Sequence, residues 1–208
     1  TGITPALGEN VADATLKMVK AAKERGMIVS CDLNYRAKLW SREQAGKVMR
    51  ELLKYVDVLI SNEEDCKDVL GLTAEGSDIT GGHLSAEAYG KLGGRVMAMF
   101  PNIKYAAVTL RESISASQNN WSAVLVTDKE VYRSKKYHLD IVDRVGGGDS
   151  FGAGLIYALS SGEDGQYAVD FAVAASAIKH TVEGDFNVLS AGEVKKLMGG
   201  DASGRVQR

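Results

Sequence analysis

The sequence predicts an α/β protein whose mainly parallel sheet carries helices on both faces. Short apolar runs of strand length alternate with stretches of helix length, the pattern of βαβ units. Polar clusters follow the first two apolar runs directly, at the strand ends where such sheets place their sites. Composition agrees: 208 residues, 45% hydrophobic and 25% charged, are ordinary for a globular protein. A chain of this size buries roughly 70% of its unfolded surface. Lys+Arg 25 against Asp+Glu 27 gives a net charge of -2, without the basic excess of a nucleic-acid platform. No apolar run approaches the roughly 18 residues of a membrane span. The expectation is a cytoplasmic protein with neither nucleic acid nor membrane as partner. Cys31 and Cys66 show no metal spacing and are expected as buried, reduced thiols.

Asn10 to about Arg25 reads as a helix, with Val11, Leu16, Met18, Val19 and Ala22 for an apolar face and Gly26 as its stop. Met27 to Leu33 reads as a strand ending in Asn34-Tyr35-Arg36. Ser41 and Gln44 have the spacing of a capping box before a helix to about Tyr55. Asp57 to Ser61 is a second buried strand, followed by Asn62-Glu63-Glu64-Asp65 and a helix to Gly71. Residues 72–84, with three glycines, read as a loop, and Ser85 to Phe100 as a helix stopped by Pro101. Tyr105 to Leu110 is the third buried strand. Trp121 to Thr127 and Glu130 to Tyr137 read as an antiparallel pair turned at Asp128-Lys129. The last third is helical, at about Asp149–Ser160, Gln166–Thr181 and Ser190–Met198, and the tail Asp201–Arg208 frays. The triplet Asn120-Trp121-Ser122 fits the glycosylation pattern but is common by chance.

The two polar clusters should share one crevice, because both follow strands of one parallel sheet. Either alone reads equally well as loop chemistry. More informative is Asp143-Arg144-Val145-Gly146-Gly147-Gly148-Asp149-Ser150-Phe151, which leads into a helix. Three glycines permit a tight turn and close approach of a ligand to the main chain. The helix mouth then offers unpaired N–H groups and the positive end of a dipole to an anion. Asp149 in the first turn could serve merely as a cap, but a cap needs no glycines before it. Other glycine motifs fail on spacing. A Walker A turn needs a lysine, and none lies between Lys136 and Lys179; the dinucleotide GxGxxG has Phe151 or Tyr157 at its third position.

The pattern Asp143-x-x-Gly-x-Gly-Asp149-x-Phe151 resembles the second signature of the ribokinase-like (PfkB) carbohydrate kinases, with Gly147 in place of the usual Ala. Asn62-x-x-Asp65 resembles that family's Asn-x-x-Glu element with a shorter acid. Within the family, Asp32-Leu-Asn-Tyr-Arg36, Thr109-Leu-Arg-Glu-Ser113 and Lys179-His-Thr-Val-Glu-Gly-Asp-Phe-Asn187 look most like the branch acting on 2-keto-3-deoxygluconate.

The resemblance implies a ribokinase-like three-layer sandwich and ATP-dependent phosphorylation of a small-molecule sugar acid. It implies Asp149 as general base and the N–H groups of Gly146, Gly147 and Gly148 as an anion hole. Arg36, Tyr35, Asn34 and Asp185 are then substrate contacts, with the Arg36 fork on the carboxylate. Leu110, Arg111, Glu112, Ser113 and Ser115 lie against ATP. Asn62 and Asp65 hold Mg2+ through water, and Asp143 marks a monovalent-cation site suited to K+. Rival readings are a fructokinase- or ribokinase-like sugar kinase and a non-catalytic nucleotide-binding module. The chain reads as the carboxyl-terminal two-thirds of one kinase domain, with a preceding βαβ segment and β lid absent and homo-oligomerisation left to the full-length protein. Thr1 to Leu7 looks like the middle of a longer chain.

Overall fold

Every expected strand forms except as noted below, and they order as β1-β2-β3-β4-β5 with β6 paired to β4. The computed structural model describes residues 1–74 and 86–200. Most of the expected loop, at 75–84, together with Ser85 and the tail 201–208, lies outside the described residues. The chain divides into two compact units. Among the described residues the first takes in 1–74, 86–109 and 124–131, and the second 110–123 and 132–200.

In the first unit, β1 (Ser30–Asp32), β2 (Val58–Asn62) and the start of β3 (Tyr105–Ser113) run parallel. The register pairs Asp32 with Ile60 and Asn62 with Thr109. Four of the five β2 residues are buried, as expected of a strand covered on both faces. Around them lie α1 (Ile3–Ala6), α2 (Glu9–Glu24), α3 (Arg42–Leu53), α4 (Glu63–Asp65), a π-helical turn (Cys66–Leu70) and α5 (Ala86–Met99). The capping box forms: Ser41 accepts from Gln44 N–H, and the Gln44 side chain accepts from Ser41 N–H. The helix expected to reach Gly71 does so through the π-turn, and Gly71 ends it at φ 69°.

Two expectations fail here. The buried strand from Met27 to Leu33 shrinks to three residues, with Met27 56% and Ile28 76% exposed. Among the described residues β1 pairs with β2 alone, and the Met27 N–H turns back to the Ala22 carbonyl at 3.0 Å. Helix α2 has no fully buried residue, and Met18 faces outward. Its position is set by an ion pair, Lys23 to Asp57 at 2.7 Å. Cys66 is buried as expected, whereas Cys31 is half-buried.

In the second unit, the start of β4 (Gln118–Val126) pairs antiparallel with β6 (Tyr137–Asp140), Trp121 opposite Tyr137. The expected strand Glu130–Tyr137 is therefore two strands, β5 (Val131–Arg133) and β6. Ser134 breaks it by turning its N–H to the Ala123 carbonyl (3.0 Å) and its hydroxyl to the Ala123 N–H (2.9 Å). Helices α6 (Gly147–Ser160), α7 (Gly165–Lys179) and α8 (Ala191–Gly199) follow. Eleven of the fifteen α7 residues are buried. Small residues let α6 and α7 approach closely: a Cβ on Gly154 would sit 3.0 Å from the Ala172 Cα.

Candidate active site

Parallel pairing puts the carboxyl ends of β1 and β2 at one edge of the first unit, and there the two polar clusters meet. Asn34 takes up φ 40° after β1, its N–H held by Asp32 Oδ1 at 3.1 Å. Its amide donates to Thr1 Oγ1. After β2, Asn62 Oδ1 accepts the Asp65 N–H (2.8 Å) while its amide donates to Asp65 Oδ2 (3.0 Å). Asp65 Oδ1 accepts the Tyr35 N–H (3.2 Å), so one buried carboxylate clasps both loops. Burial pushes its carboxyl up to about 6, against the pull of the Tyr35 N–H and the Arg36 charge.

This clasp bears on the expected roles of Asn62, Asp65 and Tyr35. Asn62 and Asp65 spend their polar atoms on each other and on Tyr35, leaving no inner set for a metal. Among the described residues no cluster of three metal-ligating side chains occurs. What remains fits a water-mediated role with Mg2+, which keeps its waters and binds through phosphates. The Tyr35 hydroxyl donates to the Trp40 carbonyl at 3.2 Å, so it braces the loop. Arg36 is exposed. One guanidinium nitrogen caps the Tyr35 carbonyl (2.8 Å), and the residue makes no ion pair among the described residues. Most of its five-donor fork stays open to a ligand.

The glycine turn belongs to the second unit, and its geometry is local. Gly146 is the N-cap of α6 at φ 77°, with no side-chain cap bond. Any Cβ there would collide with the Asp185 carbonyl. Gly147 packs against His180, whose ring would lie 2.6 Å from an added Cβ. Its carbonyl accepts from Ser176 Oγ at 2.7 Å. His180 Nδ1 faces the Ser176 carbonyl at 2.7 Å, and its ring stacks obliquely on Trp121. Burial lowers the His180 pKa, so the imidazole is a neutral buttress. Gly148 meets nothing within 4 Å.

Only part of the expected anion hole is available. Gly147 turns its N–H to the Arg144 carbonyl at 3.3 Å, as the helix starts two residues earlier than expected. The N–H groups of Gly146, Gly148 and Asp149 have no acceptor among the described residues. The Asp149 carboxylate is exposed and makes no hydrogen bond or ion pair among them, which removes the reading of Asp149 as a cap. A pocket of about 260 Å³ opens here, lined by Gly146, Asp149, Ser150, Asp185, Phe186 and Asn187 among others. Asp185 therefore does share a pocket with Asp149. Asn187, which donates to Ser150 Oγ, was assigned no role from sequence; its place two residues beyond Asp185 was the available signal.

The expected nucleotide segment divides by exposure. Leu110 is 3% exposed and belongs to the core. Glu112 accepts from Asn120 (2.7 Å) and Lys136 (2.8 Å), a cross-strand strut. Burial opposes its charge, but those two bonds hold its carboxyl below the usual range. Asn120 is thereby a strand residue with an occupied amide. Ser115 Oγ accepts from the Ser117 and Gln118 N–H groups and builds the hairpin turn. Arg111 and Ser113 face outward.

Asp143 is engaged by its own loops. Its Oδ1 accepts the Val145 N–H and its Oδ2 the Gly184 N–H, both at 2.9 Å. Those bonds first, and the charge of Lys179 after them, hold its carboxyl below the usual range. One N–H thus occupies one acceptor site on each oxygen of this carboxylate.

Residues 117–191 match the family described as pfkB family carbohydrate kinase. A 2-dehydro-3-deoxygalactonokinase of Haloferax volcanii is 32% identical over 203 residues, 97% of this chain and 57% of that protein. The crystal structure of a 2-dehydro-3-deoxygluconokinase from Thermotoga maritima is 48% identical with a TM-score of 0.89, over 96% of this chain and 58% of that one. A ribokinase of Arabidopsis thaliana, solved with ribose and ATP, shares the fold at 21% identity and a TM-score of 0.64, over 91% of this chain and 53% of that one. The chain thus spans less than two thirds of each of these relatives.

Proposed function

We propose that this chain is part of a pfkB family carbohydrate kinase of ribokinase-like α/β fold, and that the full-length protein phosphorylates 2-keto-3-deoxygluconate at the expense of ATP, yielding the 6-phosphate. One observation carries the reading: the mouth of α6 combines acceptor-free N–H groups, an unpartnered carboxylate and an open pocket. Phosphoryl transfer asks a protein mainly for positioning and charge stabilisation. Asp149 takes the proton of the acceptor hydroxyl. The N–H groups of Gly146, Gly148 and Asp149 receive the phosphate's charge, and Asp185 contacts the substrate. Arg111 and Ser113 serve the nucleotide. Asn62 and Asp65 reach the nucleotide's Mg2+ only through water, that ion supplying neutralisation of phosphate charge.

Arg36 selects an acid. Its open fork binds two carboxylate oxygens at once, for which a neutral sugar has no use. The relative named for the galacto epimer puts 2-keto-3-deoxygalactonate beside the gluconate as a competing substrate. The test is ATP consumption by the full-length protein on both keto acids, fructose and ribose, with kcat/KM highest on the keto acids. Hydrogen bonds to charged groups contribute about 1.5–3 kcal/mol, at about 1.4 kcal/mol per tenfold. Arg36→Ala should therefore cut kcat/KM for the keto acids by roughly 10-fold or more and leave neutral sugars alone. Arg36→Lys should recover part. Equal loss on acidic and neutral sugars would move Arg36 to the nucleotide or the fold. ATP binding without turnover on any sugar would leave a nucleotide-binding module.

A further inference from the structure

Lys179 is the one lysine or arginine in the buried class among the described residues, at 0% exposure. Burying an ammonium costs several kcal/mol unless it is compensated, and plain packing would be better served by Met or Leu. Its surroundings show what compensates it. Nζ donates to the Val182 carbonyl at 3.0 Å. Cε lies 3.3 Å from where a Gly146 Cβ would stand, directly against the turn that opens α6. The charge reaches Asp143, whose two oxygens hold the Val145 and Gly184 N–H groups. The 143–146 and 182–185 segments are thus tied together around one carboxylate and one ammonium.

We propose that Lys179 is a built-in monovalent cation, doing from within the chain what a bound alkali ion would do beside the phosphate-facing turn, so that the protein requires none. It is a positioning residue: it touches neither substrate nor phosphate, but fixes the loops that aim the Gly146, Gly148 and Asp149 N–H groups. The inference rests on the reading of the α6 mouth as the phosphate site.

The experiment compares full-length wild type, Lys179→Met (similar volume, no charge) and Lys179→Ala (cavity, no charge) in KCl, NaCl and tetramethylammonium chloride at equal ionic strength. Turnover and Tm are read in each salt. Wild type should show the same rate and Tm in all three. Lys179→Met should lose about 10–100-fold in kcat, the scale of a lost supporting partner, with no recovery in any salt. Lys179→Ala should lose as much and regain rate and Tm in KCl or ethylammonium chloride, which a merely structural residue would not allow. Activation or stabilisation of wild type by K+ overturns the proposal, as does a fully active Met variant. An Ala variant that no cation rescues in rate or Tm also overturns it. If the Ala variant fails to fold, the wild-type and Met arms decide. Should no sugar be phosphorylated, the assigned activity fails while the Tm comparison still judges Lys179.

Discussion

Asp149 is idle in the fold, and the proposed function gives it the central step of the chemistry. It sits at the third position of α6, exposed, with no partner among the described residues. Nothing structural is lost if its charge goes. Asp149→Asn keeps the shape but cannot accept a proton, so kcat should fall by about 10²–10⁴-fold. ATP affinity, measured by calorimetry on the same preparation, should stay at the wild-type value because the N–H donors are backbone. An Asn variant with normal turnover would place the base elsewhere. That Asp149 is not a cap was legible in sequence, because three glycines precede a residue that needed none for capping. The clasp of Asp65 was not: its bond to Tyr35 spans thirty residues, and no local pattern encodes it. Lys179 was hidden for a related reason. A lysine in the last turn of a helix reads as an exposed complement to the dipole, and only the tertiary burial of α7 makes it an interior charge.

The start of α6 separates what an element needs from what a ligand needs. Gly146 is demanded by its own backbone, at φ 77° and against the Asp185 carbonyl; Gly147 is demanded by the His180 ring. Gly148 is demanded by neither, with right-handed φ and open space around a virtual Cβ. Helix propensity alone makes Ala better than Gly there by up to about 1 kcal/mol. Gly148→Ala should therefore leave Tm unchanged or raised, yet lower kcat/KM for ATP, because the added methyl stands where a phosphate approaches the main chain. Gly146→Ala should do the opposite first, losing about 1–3 kcal/mol to backbone strain. Thermal scans beside steady-state kinetics distinguish the two; a Gly148→Ala protein with unaltered kinetics would show that no ligand comes close at that position. Elements with local punctuation were read well: Ser41 with Gln44, Gly71 and the Asp128-Lys129 turn stand where the sequence puts them. Errors came where pairing partners decide. Met27 and Ile28 carry strand propensity, but the Met27 N–H bonds back to Ala22 and both side chains are exposed, and Ser134 splits an alternating run by reaching for Ala123.

For the molecule as a whole, acidic and basic groups nearly balance, 27 against 25, so acid response depends on particular carboxylates rather than net charge. Asp57 is the strongest case in the first unit. It lies at the amino end of β2, buried, with Lys23 of α2 at 2.7 Å, the Val29 N–H at 2.9 Å and Lys104 at 3.7 Å. Its own N–H and carbonyl bond to Val29, Lys104 and Tyr105, so one residue joins α2 to the starts of all three parallel strands. Burial raises its carboxyl, but the Lys23 bond, the Val29 N–H and the charges of Lys23 and Lys104 outweigh that and hold it below the usual value of 3.8. A depressed pKa in the folded state means that the unfolded chain binds the proton more readily. The stability from Asp57 is therefore complete above its unfolded pKa, around pH 4 and higher, and drains away as pH falls through the lower folded value. Hydrogen bonds to charged groups contribute about 1.5–3 kcal/mol, so Asp57→Asn should lower stability by about that much at pH 7. Denaturant titrations of both proteins between pH 7 and pH 3 check the linkage. The gap between wild type and Asp57→Asn should hold steady down to about pH 4 and then narrow, since acid neutralises in the wild type what the substitution has already removed. A gap that stays constant to pH 3 would mean that the carboxylate's charge plays no part in anchoring α2.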